Sequence, residues 1–133
     1  MKIPNILEQI GHTPLVRLTH IGRELPTPIL VKCEHLNPSG SIKDRAALAI
    51  IDEAERRGEL RPGMTLIEAT AGNTGASLAL IAAVRGYRLV CVMPEKMSID
   101  KREALKLMGA QVVVTPNEPL SSPENFRNVA LRL

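Results

Sequence analysis

The sequence predicts an α/β fold built as three αβα layers, with a parallel sheet lying between helices. The first observation is a spacing, since Gly63, Gly86 and Gly109 lie 23 residues apart and each precedes an apolar run typical of a strand. These runs are continuously apolar rather than alternating, which indicates strands covered on both faces. The segments between them carry helical patterns, and strands that alternate with helices form βαβ units with parallel strands.

This spacing orders the elements of residues 41–133. Helices are predicted where apolar residues recur at helical spacing or where capping residues mark a start. They cover 42–57, 74–85 and 99–108, and a fourth begins near Pro123. The strands are centred on the apolar runs 66–67, 89–93 and 112–114. Because a glycine just past a helix supplies the left-handed residue that closes it, Gly58 and the three spaced glycines are predicted to end helices.

The first forty residues do not continue the spacing. Five prolines break them into short pieces, and one strand is predicted at 29–34. We therefore expect residues 1–40 to belong to another layer or domain, and residues 41–133 to form the αβα domain. The fourth predicted helix still runs at Leu133 without a stop signal, from which we expect that the sequence is cut before the protein is complete.

The composition excludes several classes of protein. A chain of 133 residues, 44% of them hydrophobic, allows one compact domain and is not a disordered tail. The net charge of +3 comes from interleaved signs, and with only Tyr87 and Phe126 as aromatics no nucleic-acid partner is expected. No apolar run approaches the roughly 20 residues that span a bilayer, and no secretion signal is visible, so we expect a cytoplasmic protein without a membrane partner. Cys33 and Cys91 form no metal-binding pair and are expected to be reduced and buried.

A first loop that could carry chemistry is residues 37–45, with the sequence NPSGSIKDR. A flexible Gly/Ser turn places Lys43 in the first turn of a helix, with Ser41 as the predicted cap. Cations are disfavoured at this positive end of the helix dipole, so a surface role does not explain Lys43 well. A neutral lysine amine is the nucleophile that forms Schiff bases with carbonyl compounds. The alternative is a solvated lysine beside Asp44 and Arg45, and this loop alone favours that alternative.

A second loop, residues 68–75 with the sequence EATAGNTG, joins a strand to an apolar helix. Turns at the carboxyl ends of parallel strands are where open α/β sheets bind ligands. Free backbone N–H groups at a helix N-terminus suit an anion such as a carboxylate, and Gly72 and Gly75 would let a ligand approach the backbone. The alternative is a tight turn in which Asn73 caps the helix. The loop is neither a GxGxxG nor a GxxxxGK[ST] nucleotide motif.

Together, three motifs carry a resemblance to a known family. Residues 32–45, KCEHLNPSGSIKDR, resemble the lysine motif of the pyridoxal-phosphate-dependent cysteine synthase and cystathionine β-synthase family, of fold type II. Residues 70–75, TAGNTG, are similar to the loop that binds the substrate carboxylate in that family. Residues 11–18, GHTPLVRL, resemble its N-terminal signature. The motifs stand in the family's order and the resemblance covers essentially the whole chain, while residues 92–98 and 122–124 lean toward the cystathionine β-synthase branch.

The resemblance implies the following roles. Lys43 would hold pyridoxal 5'-phosphate as a Schiff base and later transfer the substrate's α-proton, and Asn73 would hydrogen-bond the cofactor's ring oxygen. The substrate carboxylate would be bound by Thr70, Ala71, Gly72 and Thr74. The implied reaction is β-replacement: serine or an acylated serine loses its β-substituent to give an aminoacrylate, and a thiol or sulfide adds to yield cysteine or cystathionine. The full-length form is expected to be a homodimer.

The sequence also departs from the family pattern. Ala71 stands where the family usually has serine, and His12 where it usually has asparagine. The family's later glycine-rich phosphate loop and most of its larger domain are not in the sequence, so the chain by itself is expected to be inactive. Two alternatives therefore stay open: a non-catalytic module that keeps the small-domain fold and binds a partner or a carboxylate, and a threonine dehydratase-like or threonine synthase-like enzyme of the same architecture.

Overall fold

The computed structural model describes residues 5–133, so residues 1–4 of the predicted 1–40 segment lie outside the described part of the chain. Short 3-10 helices cover Ile6–Gln9 and Glu34–Leu36. The longer elements, in chain order, are β1 (Leu15–Arg17), β2 (Leu30–Lys32), α1 (Lys43–Arg56), β3 (Thr65–Ala69), α2 (Asn73–Arg85), β4 (Arg88–Pro94), α3 (Ile99–Leu107), β5 (Gln111–Thr115) and α4 (Phe126–Arg132). No helix within residues 5–133 has the length and apolar character needed to cross a membrane.

The three-layer αβα arrangement is confirmed. Strands β3, β4 and β5 form a parallel sheet in that order, with Ile67 opposite Val90 and Val92 opposite Val113. The connecting helices α2 and α3 contact each other on one face of the sheet, where α1 packs beside α2. Helix α4 contacts all three strands and covers the other face. The carboxyl ends of the strands therefore meet at one edge, where the loops after β3 and β4 begin.

The core is centred on β4. Its residues Leu89, Cys91, Val92 and Met93 are at most 3% exposed, which confirms the prediction of a strand covered on both faces. The same prediction is wrong for the two edge strands, where residues such as Ile67 and Val114 remain 38% and 45% exposed. The physical reason is geometric, because a three-stranded sheet has only one interior strand and the seven residues of α4 cannot cover both edges.

Two predicted boundaries need correction. Gly86 closes α2 in the left-handed conformation as predicted, but Gly63 lies in the turn between Arg61 and Met64 and ends no helix. Helix α4 begins at Phe126 rather than near Pro123. Asn125 caps it, since the Asn125 side chain accepts a hydrogen bond of 3.1 Å from the Arg127 N–H.

The segment before α1 forms a separate two-stranded ribbon. Strand β1, which was not predicted, pairs antiparallel with β2, and Val16 lies opposite Val31. The strand predicted at 29–34 is reduced to three residues, although backbone hydrogen bonds from Leu18 to Ile29 and from Cys33 to Pro14 extend the pairing. All six residues of the ribbon are exposed. The division into units at residue 40 stays a prediction.

Candidate functional site

A cavity of about 400 Å³ lies at the carboxyl end of β3, between the start of α1, the start of α2 and α3. All six residues singled out from the sequence meet there, although they come from two loops separated by more than twenty positions. Three further residues complete the lining: Glu68 and Ala69 belong to the 68–75 loop without having been given a role, and Lys101 was not predicted. The lining consists of Lys43, Glu68, Ala69, Thr70, Ala71, Gly72, Asn73, Thr74 and Lys101.

The 70–75 loop is shaped by the Thr70 side chain. The Thr70 hydroxyl oxygen accepts hydrogen bonds from the N–H groups of Gly72 and Gly75, each at 3.1 Å. Thr70 is 4% exposed and fills the space over Gly75, where a Cβ would lie only 2.6 Å from the Thr70 Cγ2. Gly75 therefore serves the packing of the loop, and the prediction that it opens the backbone to a ligand is wrong.

The folded loop leaves several N–H groups available to a ligand. Within residues 5–133, the backbone N–H groups of Ala71, Asn73 and Thr74 have no acceptor, as is usual for the first turn of a helix. Helix α2 begins at Asn73 after Gly72 and has no side-chain cap, so the alternative that Asn73 caps the helix is wrong. Instead, the exposed Asn73 side chain lines the cavity. Unpaired N–H donors at the positive end of a helix dipole are suited to an anion.

The 37–45 loop brings Lys43 to the cavity from the other side. Lys43 is the first residue of α1 and is exposed, and its N–H donates to the Ser41 hydroxyl at 3.2 Å. The cap position itself is held by Ile42 rather than by Ser41, whose hydroxyl still takes up one N–H of the first turn. The next residue, Asp44, is completely buried and accepts hydrogen bonds from this loop and from α2.

The 37–45 loop is also tied to the N-terminal segment through a charged group. The Arg45 guanidinium donates to both carboxylate oxygens of Glu34, at 2.8 and 2.9 Å. Glu34 further accepts from the Thr13 hydroxyl at 2.8 Å and from the Asn37 side chain at 2.9 Å. These bonds, led by the one from Arg45, lower the pKa of Glu34 to about 2. We call Glu34, Arg45, Thr13, Asn37 and Gly11 the Glu34 network.

Gly11 joins the Glu34 network through its backbone. Its N–H donates to the Asn37 side chain at 2.9 Å, and its carbonyl accepts from Arg45 at 2.7 Å. The motif at residues 11–18 therefore acts as a structural support for the motif at residues 32–45.

Two lining residues to which the sequence analysis gave no role are ionisable. Lys101 lies in α3, and its Nζ is 4.0 Å from the position that a Cβ on Gly72 would take, so its charge lies over the 70–75 loop. Glu68 lies on β3, and burial raises its pKa. Glu68 begins the 68–75 loop, but no motif marks Lys101. The rule that ligands bind beyond the carboxyl ends of parallel strands would have pointed to the region after β4, where α3 begins.

Both cysteines are free thiols. Cys91 lies on β4 opposite Glu68 and is completely buried. Burial, and then the charge of Glu68, raise the pKa of Cys91 to about 11. Cys33 is half-buried, so the expectation of full burial is correct for Cys91 alone. Within residues 5–133, no group of three His, Cys, Asp or Glu residues could hold a metal ion.

Comparison with known proteins agrees with the family resemblance of the three sequence motifs. Cystathionine beta-synthase of Oryctolagus cuniculus is 53% identical over 98% of this chain, and Cysteine synthase B of Salmonella typhimurium is 50% identical over 97%. The chain spans about a quarter (24%) of the first of these relatives and 42% of the second. A crystal structure of O-ureido-L-serine synthase superposes on 98% of the chain with a TM-score of 0.87 and 41% sequence identity, and the chain covers 41% of it.

The family match covers the elements that form the cavity. Residues 6–132 match the family described as "Pyridoxal-phosphate dependent enzyme", and this range includes both loops, α1 to α3 and the parallel sheet. With the fold, the cavity and the sequence all in agreement, the chain belongs to the family of pyridoxal-phosphate dependent enzymes.

Proposed function

We propose that this chain is the part of a β-replacement enzyme that carries the cofactor lysine and the substrate carboxylate site. The enzyme would make cysteine or cystathionine from serine or an acylated serine, with a thiol or sulfide as the second substrate. The observation that carries the proposal is the convergence of Lys43 with the 70–75 loop on one cavity. The chain's family membership and its similarity to cysteine synthase and cystathionine beta-synthase sequences support the proposal.

The residues present fit pyridoxal phosphate in the part of the site that they form. The cavity of about 400 Å³ contains a primary amine, a side-chain amide and backbone donors for an anion. Lys43 would hold the cofactor covalently through its amine nitrogen, and the Asn73 amide would donate to the ring oxygen. When bound, the cofactor supplies an electron sink at the substrate's α-carbon. The sequence has no glycine-rich loop for the cofactor phosphate, so these residues account for the ring side of the site only.

Groups on this chain would bind the substrate and transfer its α-proton. The N–H groups of Ala71 and Thr74 would bind the substrate carboxylate and orient the α-carbon toward Lys43. Once the substrate's amino group has taken the place of Lys43 on the cofactor, the freed Lys43 amine would take the α-proton as the β-substituent leaves, and would return a proton to the α-carbon after the sulfur of the thiol or sulfide bonds to the β-carbon. Lys101 would add a positive charge beside the carboxylate. Positioning of this kind is what converts a binding site into a catalytic one.

The experiment that tests the proposal is chemical trapping on the chain itself. Pyridoxal phosphate is added, the adducts are fixed with borohydride, and the labelled lysines are mapped by peptide mass spectrometry. Lys43 should be labelled in preference to the exposed Lys96 and Lys106, and a Lys43→Arg variant should lose only that label. Equal labelling of all three lysines would contradict the proposed role of Lys43.

A second measurement separates the proposal from related activities. In an extended form of the protein that includes the phosphate loop, amino-acid elimination is assayed with and without an added thiol. A β-replacement enzyme forms the thioether or cysteine product when thiol or sulfide is present, whereas a threonine dehydratase-like enzyme produces an oxo acid regardless of the thiol. We further propose a cytoplasmic location and a homodimer for that form.

A further inference from the structure

Asp44 directly follows Lys43 and is 0% exposed, which is unusual for a carboxylate. The Asp44 Oδ2 accepts from the Ser39 N–H at 2.8 Å, and Oδ1 accepts from the hydroxyls of Ser39 and Ser77, the latter at 2.6 Å. Its negative charge also lies in the first turn of α1, where the helix dipole favours it. A buried carboxylate is tolerated only with such compensation, so these contacts fix its position.

Ser77 connects Asp44 to the second loop. Ser77 is also 0% exposed and belongs to α2, one turn after Asn73. Its hydroxyl oxygen lies 2.6 Å from Asp44 Oδ1 and 3.0 Å from the Asn73 carbonyl oxygen. Since the hydroxyl has one proton, its stronger bond goes to the charged carboxylate and its contact with the Asn73 carbonyl is the weaker share of a bifurcated bond.

Each partner of this buried contact is connected to a residue that lines the cavity. Asp44 is one residue from Lys43, and Ser77 is bonded to the residue proposed to contact the cofactor ring. A hydrogen bond between Asp44 and Ser77 therefore joins the first turn of α1 to the second turn of α2. Neither Asp44 nor Ser77 is among the residues that line the cavity, so both act on it through their neighbours.

We propose that Asp44 is a positioning residue which, through Ser39 and Ser77, fixes the Lys43 amine relative to Asn73 and the 70–75 loop. The inference rests on the proposed function, because it assigns Lys43 to the cofactor. It goes beyond that function by naming the buried carboxylate that sets the spacing of the two loops. Small displacements of reacting groups are costly, since a misplacement of about 1 Å reduces rates by up to about 100-fold.

The test uses Ser77→Ala and Asp44→Asn, with Ala79→Gly as the matched control. Ala79 lies on the same helix and is 1% exposed, but it is not part of the contact with Asp44. Each variant is checked for folding by circular dichroism and thermal unfolding, and Ser77→Ala decides the question if Asp44→Asn does not fold. The probe is pyridoxal phosphate, and two readouts are measured: the labelling rate of Lys43 relative to Lys96, and the visible absorption band of the adduct.

We expect a selective effect of Ser77→Ala. Ser77→Ala should lower the preference for Lys43 over Lys96 by about 10-fold and shift the absorption band, whereas Ala79→Gly should destabilise the helix and leave both readouts as in the wild type. If Ser77→Ala keeps the wild-type preference and band, the positioning role of Asp44 is overturned while the proposed function stands. If Lys43 is not preferred even in the wild type, both are overturned.

Discussion

The two loops of the cavity are built in opposite ways. In the 37–45 loop nearly every polar group described above is used inside the chain: Asp44 is bonded to Ser39 and Ser77, and Arg45 is bonded to Glu34 and Gly11. In the 70–75 loop the Thr70 hydroxyl holds the shape, and the N–H groups of Ala71, Asn73 and Thr74 are left available. The difference separates two tasks, since a covalent anchor must be held still and an anion site must keep its donors free. Four substitutions either remove one side of this difference or increase it.

The largest effect is expected from Gly75→Ala. The new Cβ would lie 2.6 Å from the Thr70 Cγ2, and Thr70 could move only by giving up its two hydrogen bonds to the loop. Overpacking of this kind costs about 1–3 kcal/mol of unfolding free energy. Binding of L-serine, followed by the NMR shifts of the Ala71, Asn73 and Thr74 amides, should be lost.

The matched control for that variant is Gly109→Ala. Gly109 has a positive φ but no atom within 4 Å of an added Cβ, so the cost is the left-handed strain of about 1–2 kcal/mol. Serine binding should survive in this control. Loss of binding in both variants would show that general destabilisation, and not the shape of the loop, is responsible.

A second variant, Glu34→Gln, tests the 37–45 loop, which is held by hydrogen bonds within the chain. In the unfolded chain Glu34 takes up a proton near its ordinary pKa of 4.5, whereas the folded protein keeps it charged to about pH 2 because of Arg45. The unfolded state therefore binds more protons in this window, and the stabilisation from Glu34 is present above pH 4.5 and is lost as the pH falls toward 2. Urea unfolding as a function of pH should show this decline in the wild type and a flatter profile in Glu34→Gln.

Glu103→Gln serves as the control for the loss of one surface carboxylate. Glu103 is paired with Lys106 on the exposed side of α3. This variant should keep the acid-dependent decline of the wild type. A wild-type decline that persists unchanged in Glu34→Gln would mean that the Glu34 network does not hold the N-terminal segment against α1.

Ala71→Ser should strengthen ligand binding by the 70–75 loop, whose N–H donors are left available. The added hydroxyl would supply the donor that the family's loop usually has, and one hydrogen bond to a charged group contributes about 1.5–3 kcal/mol. L-serine should therefore bind about 10- to 150-fold more tightly, as measured by the same amide titration. Because Ala71 is exposed, the substitution should leave the thermal unfolding midpoint unchanged. Weaker binding would indicate that the loop excludes a larger side chain here.

The smallest effect is expected from Lys101→Met. An exposed charge near a ligand carboxylate contributes about 0.2–1 kcal/mol, so binding of L-serine should weaken by about 1.4- to 5-fold. The difference should shrink at high salt, because exposed charges are screened. Lys106→Met on the same helix is the control and should bind like the wild type. An equal loss in both variants would indicate a diffuse effect of net charge.

Local chemistry made much of this molecule predictable. Gly86 and the apolar run around Val90 follow from a spacing that the βαβ unit imposes, and Lys43 and Asn73 stand in motifs whose backbone geometry is set by nearby residues. β1 was missed because its three residues are exposed and form a strand only by pairing with β2. Asn125 caps α4 at a position where the two preceding serines suggest an earlier start.

The parts that could not be predicted depend on packing between distant elements. Lys101 reaches the cavity because α3 packs against α2, and no local sequence pattern encodes that contact. The bond between Asp44 and Ser77 joins residues 33 positions apart, and each residue alone resembles an ordinary polar residue of a helix. Tertiary contacts of this kind become visible only when the helices are placed together.

The burial of Cys91 has a consequence for the chemistry proposed next to it. Cys91 lies on the strand beside Glu68, which lines the cavity, so a thiol stands one strand behind a site proposed to receive sulfide or thiols. A thiol acts as a nucleophile through its thiolate form, and a pKa of about 11 keeps the Cys91 thiol protonated near neutral pH. Because Cys91 is also completely buried, it does not compete with the added sulfide or thiol for the substrate.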